Sequence, residues 1–423
     1  MKPAAEPSWL GRRLRLAVGP VAHGGHCVAR YEGRVVFVRH ALPGETVLAE
    51  VTEDRGGSFC RADAVEVLAA APDRVPPPCR YAHPGGCGGC DFQHVRPDRQ
   101  RALKAAVVAE QLSRLAGIDR PVTVEALDPD DLGWRRRIRY AVDRTGRPGL
   151  HRHRSEELVP IERCLIGAPG VGDSPALAER WPGLAELEVA VDDDAQTALV
   201  GHRTVPVRRG RGRSGRGQRP RAGSTVEQLA GPELLRYRVA GREFRLEPAG
   251  FWQTHPAAAE TFSRVVRVAA DLRPGERALD LYAGAGLFTA ALAEAVGGTG
   301  RVLGLEGNAA AVAAAADNLA DLPWAAVERQ PIGEATVRQA MAELSPQVVV
   351  LDPPRTGAGP RVLGTVLDGR PRTVIYVACD PASLARDLRT ALDAGWQLDA
   401  LTGYDAYPMT HHVECIAVLR PSR

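Results

Sequence analysis

The sequence predicts an α/β fold with a doubly wound parallel sheet in its C-terminal part, preceded by a small β-barrel and a mixed α+β central region. From about residue 246 onward, strand-like runs rich in β-branched residues alternate with Ala-rich stretches of helical length. In the first part of the chain, short strand-like runs are separated by Gly, Pro and charged residues. We therefore expect three domains, at residues 1–66, 67–245 and 246–423.

The bulk composition is that of a globular protein, since 44% of the 423 residues are hydrophobic. No run approaches the roughly 18 apolar residues of a membrane helix. The N-terminal stretch also lacks the apolar core of a signal peptide. We therefore expect a cytoplasmic protein without membrane contact. No obligate protein partner is evident, and we expect a monomer.

The basic residues are nearly all arginine and concentrate in three runs, although the net charge is only +3. These runs lie at residues 133–140, 151–154 and 207–221. Guanidinium groups suit phosphate contacts and base stacking, so a polyanionic partner such as a nucleic acid fits this pattern. Solvated protein surface is the alternative, and for the Gly-rich segment 207–223 we favour a flexible insertion.

The N-terminal segment carries a glycine pair at Gly24 and Gly25, then GRVVFV, then LPGE at residues 42–45. In this order the motifs resemble a TRAM domain, a small β-barrel found on RNA-modifying enzymes. The resemblance implies that residues 1–66 bind RNA. The basic side chains that we expect to face a nucleic acid backbone are Arg30, Arg34, Arg39 and His40.

The central region opens on CRYAHPGGCGGCDFQHV, which contains three cysteines, and a fourth follows in ERCLIG. A C-x-x-C pair with a third cysteine before it and a distant fourth is typical of a metal site, and glycines let the backbone wrap around the metal. Zinc and an iron–sulfur cluster both fit four thiolates, because these ligands alone do not select the metal. The predicted ligands are Cys79, Cys87, Cys90 and Cys164.

One helix is predicted next to this cysteine-rich stretch. Residues 97–117 place apolar side chains at helical spacing, with a proline at the start and a glycine at the end. This helix is a candidate to pack on the C-terminal domain.

The first strand of the C-terminal domain is followed by a glycine turn. RALDLYAGAGLF is a strand containing Asp280, then Gly284 and Gly286, whose missing side chains let a ligand approach the backbone. A nicotinamide dinucleotide site is one alternative, but its fingerprint needs a third glycine where Thr289 stands. The second strand ends at Glu306, whose carboxylate can accept hydrogen bonds from both ribose hydroxyls of an adenosine. Together these features resemble class I S-adenosylmethionine methyltransferases.

Three further side chains are expected near the same edge of the sheet. Asp352 follows the buried strand QVVVL, Cys379 follows TVIYVA, and Glu414 starts the last strand. Ligand crevices open at the carboxyl ends of parallel strands, so Asp352 and Cys379 are expected at the crevice. Arg355 stands where amino-group methyltransferases carry an aromatic residue, which counts against methylation of an exocyclic amine.

One cysteine and one carboxylate are what methylation of uracil C5 requires, because this carbon is a poor nucleophile. A thiolate that adds to C6 turns the base into an enolate, C5 attacks the methyl group, and a base removes the C5 proton. Cytosine-C5 RNA methyltransferases use a cysteine pair instead. The other nearby cysteine, Cys415, is expected to point away from Glu414 on its strand, so uracil fits better.

The motifs ACDP at Cys379, HVE at Glu414 and FWQ at residues 251–253 resemble the RNA (uracil-C5)-methyltransferase family of the RumA/RlmD type. By this resemblance Cys379 is the nucleophile and Glu414 is the proton acceptor. The resemblance also favours a 4Fe–4S cluster on the four cysteines. The residues that it implies for S-adenosylmethionine binding are Gln253, Tyr282, Glu306 and Asp352.

The implied substrate is RNA. The TRAM-like barrel and the cluster favour 23S rRNA, with transfer RNA as the alternative. A non-catalytic RNA-binding or ribosome assembly factor is a further alternative. Asp380 stands where the family carries asparagine, and its charge is expected to raise the thiol pKa of Cys379 unless Asp380 is paired or solvated.

Overall fold

The computed structural model of the chain describes residues 8–205 and 223–422. Within these ranges the chain forms four β-sheets of five, six, two and eight strands. The predicted flexible insertion at 207–223 lies outside the described residues, apart from Gly223. Among the helices described, none is long and apolar enough to cross a membrane.

The N-terminal sheet has the strand order β1-β4-β5-β3-β2. Alternate side chains of its strands point into an apolar core, in which Val36, Val47 and Ala49 are fully buried. Irregular register between β4 and β5 bends these two long strands, as β-bulges do. The strands are β1 (Arg13–Ala17), β2 (Cys27–Tyr31), β3 (Arg34–Arg39), β4 (Thr46–Glu53) and β5 (Phe59–Ala69).

Two arginines of this barrel do not face solvent, so the prediction that they face a nucleic acid backbone is wrong. Arg34 is 5% exposed, forms an ion pair of 2.7 Å with Asp54 and lies over the ring of Trp9. Arg39 is 6% exposed and lies 3.5 Å from Asp91. Buried guanidinium groups need such carboxylate partners, and these partners are distant in the sequence.

The central region contains an antiparallel sheet with the order β12-β11-β10-β7-β8-β9 and a separate hairpin of β13 and β14. Its core is built from the inward faces of β7 and β10, including Tyr140 and Leu187. The strands after the first sheet are β6 (Val124–Ala126), β7 (Arg137–Val142), β8 (Pro148–His151), β9 (Leu158–Pro160), β10 (Glu186–Val191), β11 (Thr197–Val205), β12 (Gly223–Ala230), β13 (Leu235–Val239) and β14 (Arg242–Leu246).

The C-terminal sheet has the order β17-β16-β15-β18-β19-β21-β20-β6. Strands β15 to β19 are mutually parallel, and β21 is antiparallel to both of its neighbours. Buried residues on the two faces belong to two separate apolar clusters, as a doubly wound sheet requires. The remaining strands are β15 (Arg277–Leu281), β16 (Arg301–Glu306), β17 (Ala325–Arg329), β18 (Val348–Leu351), β19 (Thr373–Ala378), β20 (Trp396–Asp405) and β21 (Glu414–Pro421).

Helices cover both faces of this sheet. Helices α2 and α3 contribute to one apolar cluster, while α5, α6 and α7 contribute to the other. Their apolar stripes therefore enclose the fully buried parallel strands between two layers. The helices are α1 (Pro97–Gln111), α2 (Ala258–Ala270), α3 (Leu287–Val296), α4 (Ala309–Asn318), α5 (Glu334–Leu344), α6 (Gly359–Asp368) and α7 (Pro381–Asp393).

The segment around α1 belongs physically to the C-terminal sheet. A π-helical turn over Leu112–Ala116 follows α1, and the chain reverses at Gly117, whose φ is +70°. Val108 and Leu112 share an apolar cluster with α7. Strand β6 then pairs in parallel with β20 at the edge of the eight-stranded sheet.

A fully buried ion pair fastens α1 to β20. Lys104 Nζ lies 2.5 Å from Asp405 Oδ1 and donates to the Tyr407 carbonyl oxygen at 3.0 Å. The side chains of Lys104 and Asp405 are 0% and 1% exposed. Burial lowers the pKa of Lys104, and the Asp405 carboxylate opposes this shift. The positive charge of Lys104 therefore depends on the neighbouring Asp405 carboxylate.

Lys104→Met is expected to destabilise the protein by about 3–5 kcal/mol, because Asp405 would remain buried without a cation. Chemical denaturation would measure this loss. The double variant Lys104→Met/Asp405→Asn serves as the control and should recover part of the loss, because it removes the uncompensated charge. A loss below about 1 kcal/mol in the single variant, as for an exposed pair, would contradict the expectation.

Candidate active site

The carboxyl ends of four parallel strands present polar side chains at one edge of the C-terminal sheet. Glu306 ends β16, Asp352 follows β18 and Cys379 follows β19. Strand β21 runs antiparallel to β19, so Glu414 at its start lies at the same edge. Asp280 lies near the end of β15, between these strands. The topology therefore gathers one thiol and four carboxyl groups.

A cavity of about 1240 Å³ opens at this edge. This volume exceeds the roughly 300–1,000 Å³ typical of a pocket for one small ligand. The structure thus brings together all the residues predicted for cofactor binding and for the reaction. Those that line the cavity are Gln253, Tyr282, Glu306, Asp352, Cys379 and Glu414.

The turn after β15 forms one end of the cavity. Tyr282 and Gly286 have φ of +66° and +89°, a left-handed backbone that turns the chain sharply into α3. Glu306 is fixed against this turn, because its two carboxylate oxygens accept from the backbone N–H groups of Gly284 at 3.1 Å and Asn308 at 2.7 Å. Each oxygen keeps a further lone pair for a ligand.

Two carboxyl groups near the turn have a raised pKa. Burial raises the pKa of Asp280 to about 7, against the opposing hydrogen bond of 2.6 Å from the Thr289 hydroxyl. Burial and the neighbouring Asp280 also raise the pKa of Asp352 to about 7. Among the described residues, no cation lowers the pKa of either carboxyl group.

Cys379 and Glu414 line the same cavity. Burial, followed by the charges of Glu414 and Asp352, raises the thiol pKa of Cys379 to about 12, against the opposing charge of Arg355. Burial and then Asp352 raise the pKa of Glu414 well above its usual range. The Tyr407 hydroxyl donates to Glu414 Oε2 at 3.3 Å. The raised pKa values therefore favour the protonated forms of Cys379 and Glu414.

Asp380, next to the thiol, has two partners. It precedes α7, where its Oδ1 accepts from the Ser383 backbone N–H at 2.8 Å, and its Oδ2 lies 3.0 Å from His23 Nε2 of the barrel. Burial alone would raise the pKa of Asp380, but these hydrogen bonds, that of His23 first, hold it below its usual range. The carboxylate that departs from the family pattern is thus paired.

The loop that precedes Glu414 is held by the cysteine-rich region. The Met409 carbonyl oxygen accepts from the backbone N–H groups of Asp91 and Phe92, both at 2.9 Å. Asp91 Oδ2 lies 2.6 Å from His411 Nδ1 and accepts from the His411 backbone N–H at 3.1 Å. The two residues that follow Cys90 therefore help to set the position of this loop.

The four predicted metal ligands surround a second cavity of about 230 Å³. In residues 8–205 and 223–422, no three or more His, Cys, Asp or Glu side chains are placed to hold a metal ion directly. Two sulfurs have donors, since the Gly89 N–H and Gln93 Nε2 lie 3.3 Å from Cys87 Sγ and Cys90 Sγ, respectively. The cysteines that line this cavity are Cys79, Cys87, Cys90 and Cys164.

Sequence reasoning missed several side chains that support the site. His23, Asp91 and Tyr407 reach Asp380, His411 and Glu414 respectively. Only Tyr407 had a local signal, because it stands in the same YPMTHHVE stretch as Glu414. The other contacts join residues that are 320 or more positions apart.

Comparisons with known proteins agree with this geometry. A family model described as tRNA (Uracil-5-)-methyltransferase matches residues 235–421, and a TRAM domain model matches residues 7–65. The chain is 44% identical to a protein of Streptomyces avermitilis named Uncharacterized RNA methyltransferase, over 98% of this chain and 99% of that protein. It is 33% identical to the 23S rRNA (uracil(1939)-C(5))-methyltransferase RlmD of Alkalilimnicola ehrlichii, over 97% of this chain and 99% of that protein.

Among solved structures, the chain resembles the Pyrococcus abyssi tRNA (uracil-54, C5)-methyltransferase in complex with S-adenosyl-L-homocysteine. The TM-score is 0.68 at 22% identity, over 96% of this chain and 100% of that chain. This similarity confirms the predicted fold class. Together with the identity to the curated relatives over nearly their full length, it leads to one conclusion: the chain belongs to the RNA (uracil-5-)-methyltransferase family.

Proposed function

We propose that this enzyme transfers a methyl group from S-adenosylmethionine to C5 of a uridine in RNA, with Cys379 as nucleophile and Glu414 as proton acceptor. The observation that carries the proposal is that Cys379 and Glu414 line the same cavity as the glycine turn and Glu306. A thiol, a carboxylate and a cofactor turn in one cavity are the groups that this reaction needs.

The charge of the cavity suits the proposed cofactor. S-adenosylmethionine, when bound, supplies an electrophilic methyl group on a positively charged sulfur. Glu306 and Asp352 line the cavity, and burial together with Asp280 raises the pKa of Asp352 without an opposing cation. We propose that Glu306 accepts from ribose hydroxyls, while Gln253 and Tyr282 contact the same ligand.

Cys379 would begin the reaction by adding its sulfur to C6 of the uracil. The electron pair of the C5–C6 double bond then moves to form an enolate, which makes C5 nucleophilic toward the methyl group. The thiol must first lose its proton. Arg355 favours this loss, since its charge lowers the pKa of Cys379.

Glu414 would complete the reaction by accepting the C5 proton. The electron pair of the C5–H bond restores the C5–C6 double bond, and the bond between C6 and the sulfur breaks to release the thiolate. Glu414 is a strong base when ionised, because burial and Asp352 raise its pKa. The Tyr407 hydroxyl holds its Oε2 in place.

We propose 23S rRNA as the substrate, bound by the barrel at residues 1–66 and the central region at 67–245. The support is the 33% identity to a relative named as a 23S rRNA methyltransferase over 99% of that relative. Transfer RNA is the second candidate, because the matching family model is described as a tRNA methyltransferase. Mapping of 5-methyluridine in both RNA pools of a deletion strain tests the choice, since only the true substrate loses the modification.

We propose that Cys79, Cys87, Cys90 and Cys164 hold a 4Fe–4S cluster. The support is that all four line one cavity and that N–H donors point at two of the sulfurs, as is common around cluster thiolates. The cluster would join the loop at Cys87 and Cys90 to the distant Cys164. Zinc is the competing occupant.

Cys379→Ala is expected to abolish methyl transfer and covalent capture of RNA that contains 5-fluorouridine. In 5-fluorouridine a fluorine atom replaces the C5 hydrogen, so there is no C5 proton for a base to remove. The covalent bond between the wild-type enzyme and this RNA should therefore persist, and the complex should migrate as a larger species on a denaturing gel. Cys415→Ala is the control and should retain both properties. Methyl transfer by Cys379→Ala would contradict the proposed nucleophile.

Glu414→Gln is expected to lower turnover by about 10²–10⁴-fold and to let the bond to ordinary uridine RNA accumulate. For the wild type, the rate should rise with pH between about 6 and 9, by up to about tenfold per unit for each of the two groups that must lose a proton. Burial raises the pKa of both Cys379 and Glu414, and only their deprotonated forms react. A rate that falls over this range, measured with radiolabelled methyl donor, would argue against these roles.

Protein purified without oxygen is expected to contain about four iron atoms and four sulfides per chain and to absorb broadly near 400 nm. Cys90→Ser should lose the iron and this absorption, because Cys90 lines the small cavity. Cys379→Ala lies outside that cavity and should keep both. Zinc without sulfide, determined by elemental analysis, would replace the cluster proposal with a zinc site.

A further inference from the structure

A side chain of the N-terminal barrel reaches the residue beside the proposed nucleophile. His23 Nε2 lies 3.0 Å from Asp380 Oδ2, across 357 positions of sequence. The side chains of His23 and Asp380 are 38% and 18% exposed, so the contact lies at the rim of the site. The barrel is therefore in direct contact with the catalytic segment that contains Cys379.

Both oxygens of Asp380 have hydrogen-bond partners. Oδ1 accepts from the Ser383 backbone N–H at the start of α7, and Oδ2 meets His23. The N-terminus of this 13-residue helix also favours a negative charge. Asp380 does not line the large cavity, whereas its neighbour Cys379 does.

The loop that carries His23 packs closely against its neighbours at Gly25, two residues later. A Cβ added to Gly25 would lie 2.8 Å from His411 Cβ and 3.1 Å from Asp91 Cβ. Gly25 also has a φ of +79°, which favours glycine. The barrel loop therefore packs directly on the loop that leads to Glu414, with no room for a side chain between them.

The thiol already lies among negative charges. Burial, Glu414 and Asp352 raise its pKa, whereas the charge of Arg355 and a backbone hydrogen bond lower it. If the Asp380 carboxylate turned toward the sulfur, it would add another unfavourable charge next to a developing thiolate. The titratable or charged groups that interact with Cys379 or Asp380 are Glu414, Asp352, Arg355, Tyr407, Cys415 and His23.

We propose that His23 is a positioning residue for the reaction: it holds the Asp380 carboxylate against the start of α7 and away from Cys379. The barrel then contributes to the chemistry as well as to RNA binding. This inference rests on the proposed role of Cys379 as nucleophile. It predicts that an asparagine at position 380, which carries no charge, makes the histidine unnecessary.

The test compares His23→Ala, Asp380→Asn and the double variant. His23→Ala is expected to lower the rate of Cys379 alkylation by iodoacetamide about tenfold at neutral pH, which corresponds to a rise of one unit in the thiol pKa. Mass spectrometry of the Cys379 peptide across a pH series, without RNA, measures this rate. The same variant should lower kcat about tenfold, with little change in KM for S-adenosylmethionine.

The double variant decides between positioning and a general structural role. If His23 acts through Asp380, the double variant should alkylate and turn over like Asp380→Asn alone. A double variant as slow as His23→Ala, or a His23→Ala profile identical to that of the wild type, would overturn the inference. The matched charge control is Asp119→Asn, which should behave as the wild type. Asp119 is an exposed acid that is distant in the sequence from both His23 and Asp380.

The two proposals fail in different ways. Methyl transfer by Cys379→Ala would refute the nucleophile itself, whatever the His23 variants do. An unchanged alkylation profile in His23→Ala, together with an inactive Cys379→Ala, would refute only the positioning role. Thermal unfolding of each variant shows whether a slow variant is folded.

Discussion

One buried carboxylate, that of Asp91, joins the three parts of the chain around the active site. It lies 3.5 Å from Arg39 of the barrel and 2.6 Å from the ring of His411, while its own backbone follows Cys90. Burial alone would raise the pKa of Asp91, but the hydrogen bond and charge of His411, followed by Arg39, hold it below its usual range. Without this anion, two basic groups and the loop before Glu414 would lose their common partner.

The cavity itself shows the opposite balance, because its acids exceed its cations. Asp352 and Glu414 line it and Asp280 lies beside Asp352, and all three carboxyl groups have a raised pKa, which Arg355 opposes only at Glu414. Such an arrangement costs stability in the empty protein and is tolerated at functional sites. A positively charged ligand in this cavity would offset that cost and favour the ionised forms of these carboxyl groups.

The alternation of strands and Ala-rich helices was sufficient to predict the doubly wound sheet, and strand ends alone predicted Glu306, Asp352 and Cys379 as neighbours. Their convergence follows from topology, since parallel strands end at one edge. Contacts between residues that are distant in the sequence have no corresponding local sequence pattern. The pairing of His23 with Asp380 and the burial of Arg39 depend on how the barrel packs, which local periodicity does not encode.

Strand β6 has a consequence for how the protein reaches its native state. Val124 pairs with Gly403, so an edge strand of the catalytic sheet is synthesised before the central sheet and long before its neighbour. Contacts of such sequence separation form slowly, because a long loop must close first. During translation, this strand and the apolar side of α1 lack their packing partners until the last strands have been synthesised. The C-terminal sheet is therefore not formed by the C-terminal residues alone, because an earlier segment of the chain supplies its edge strand.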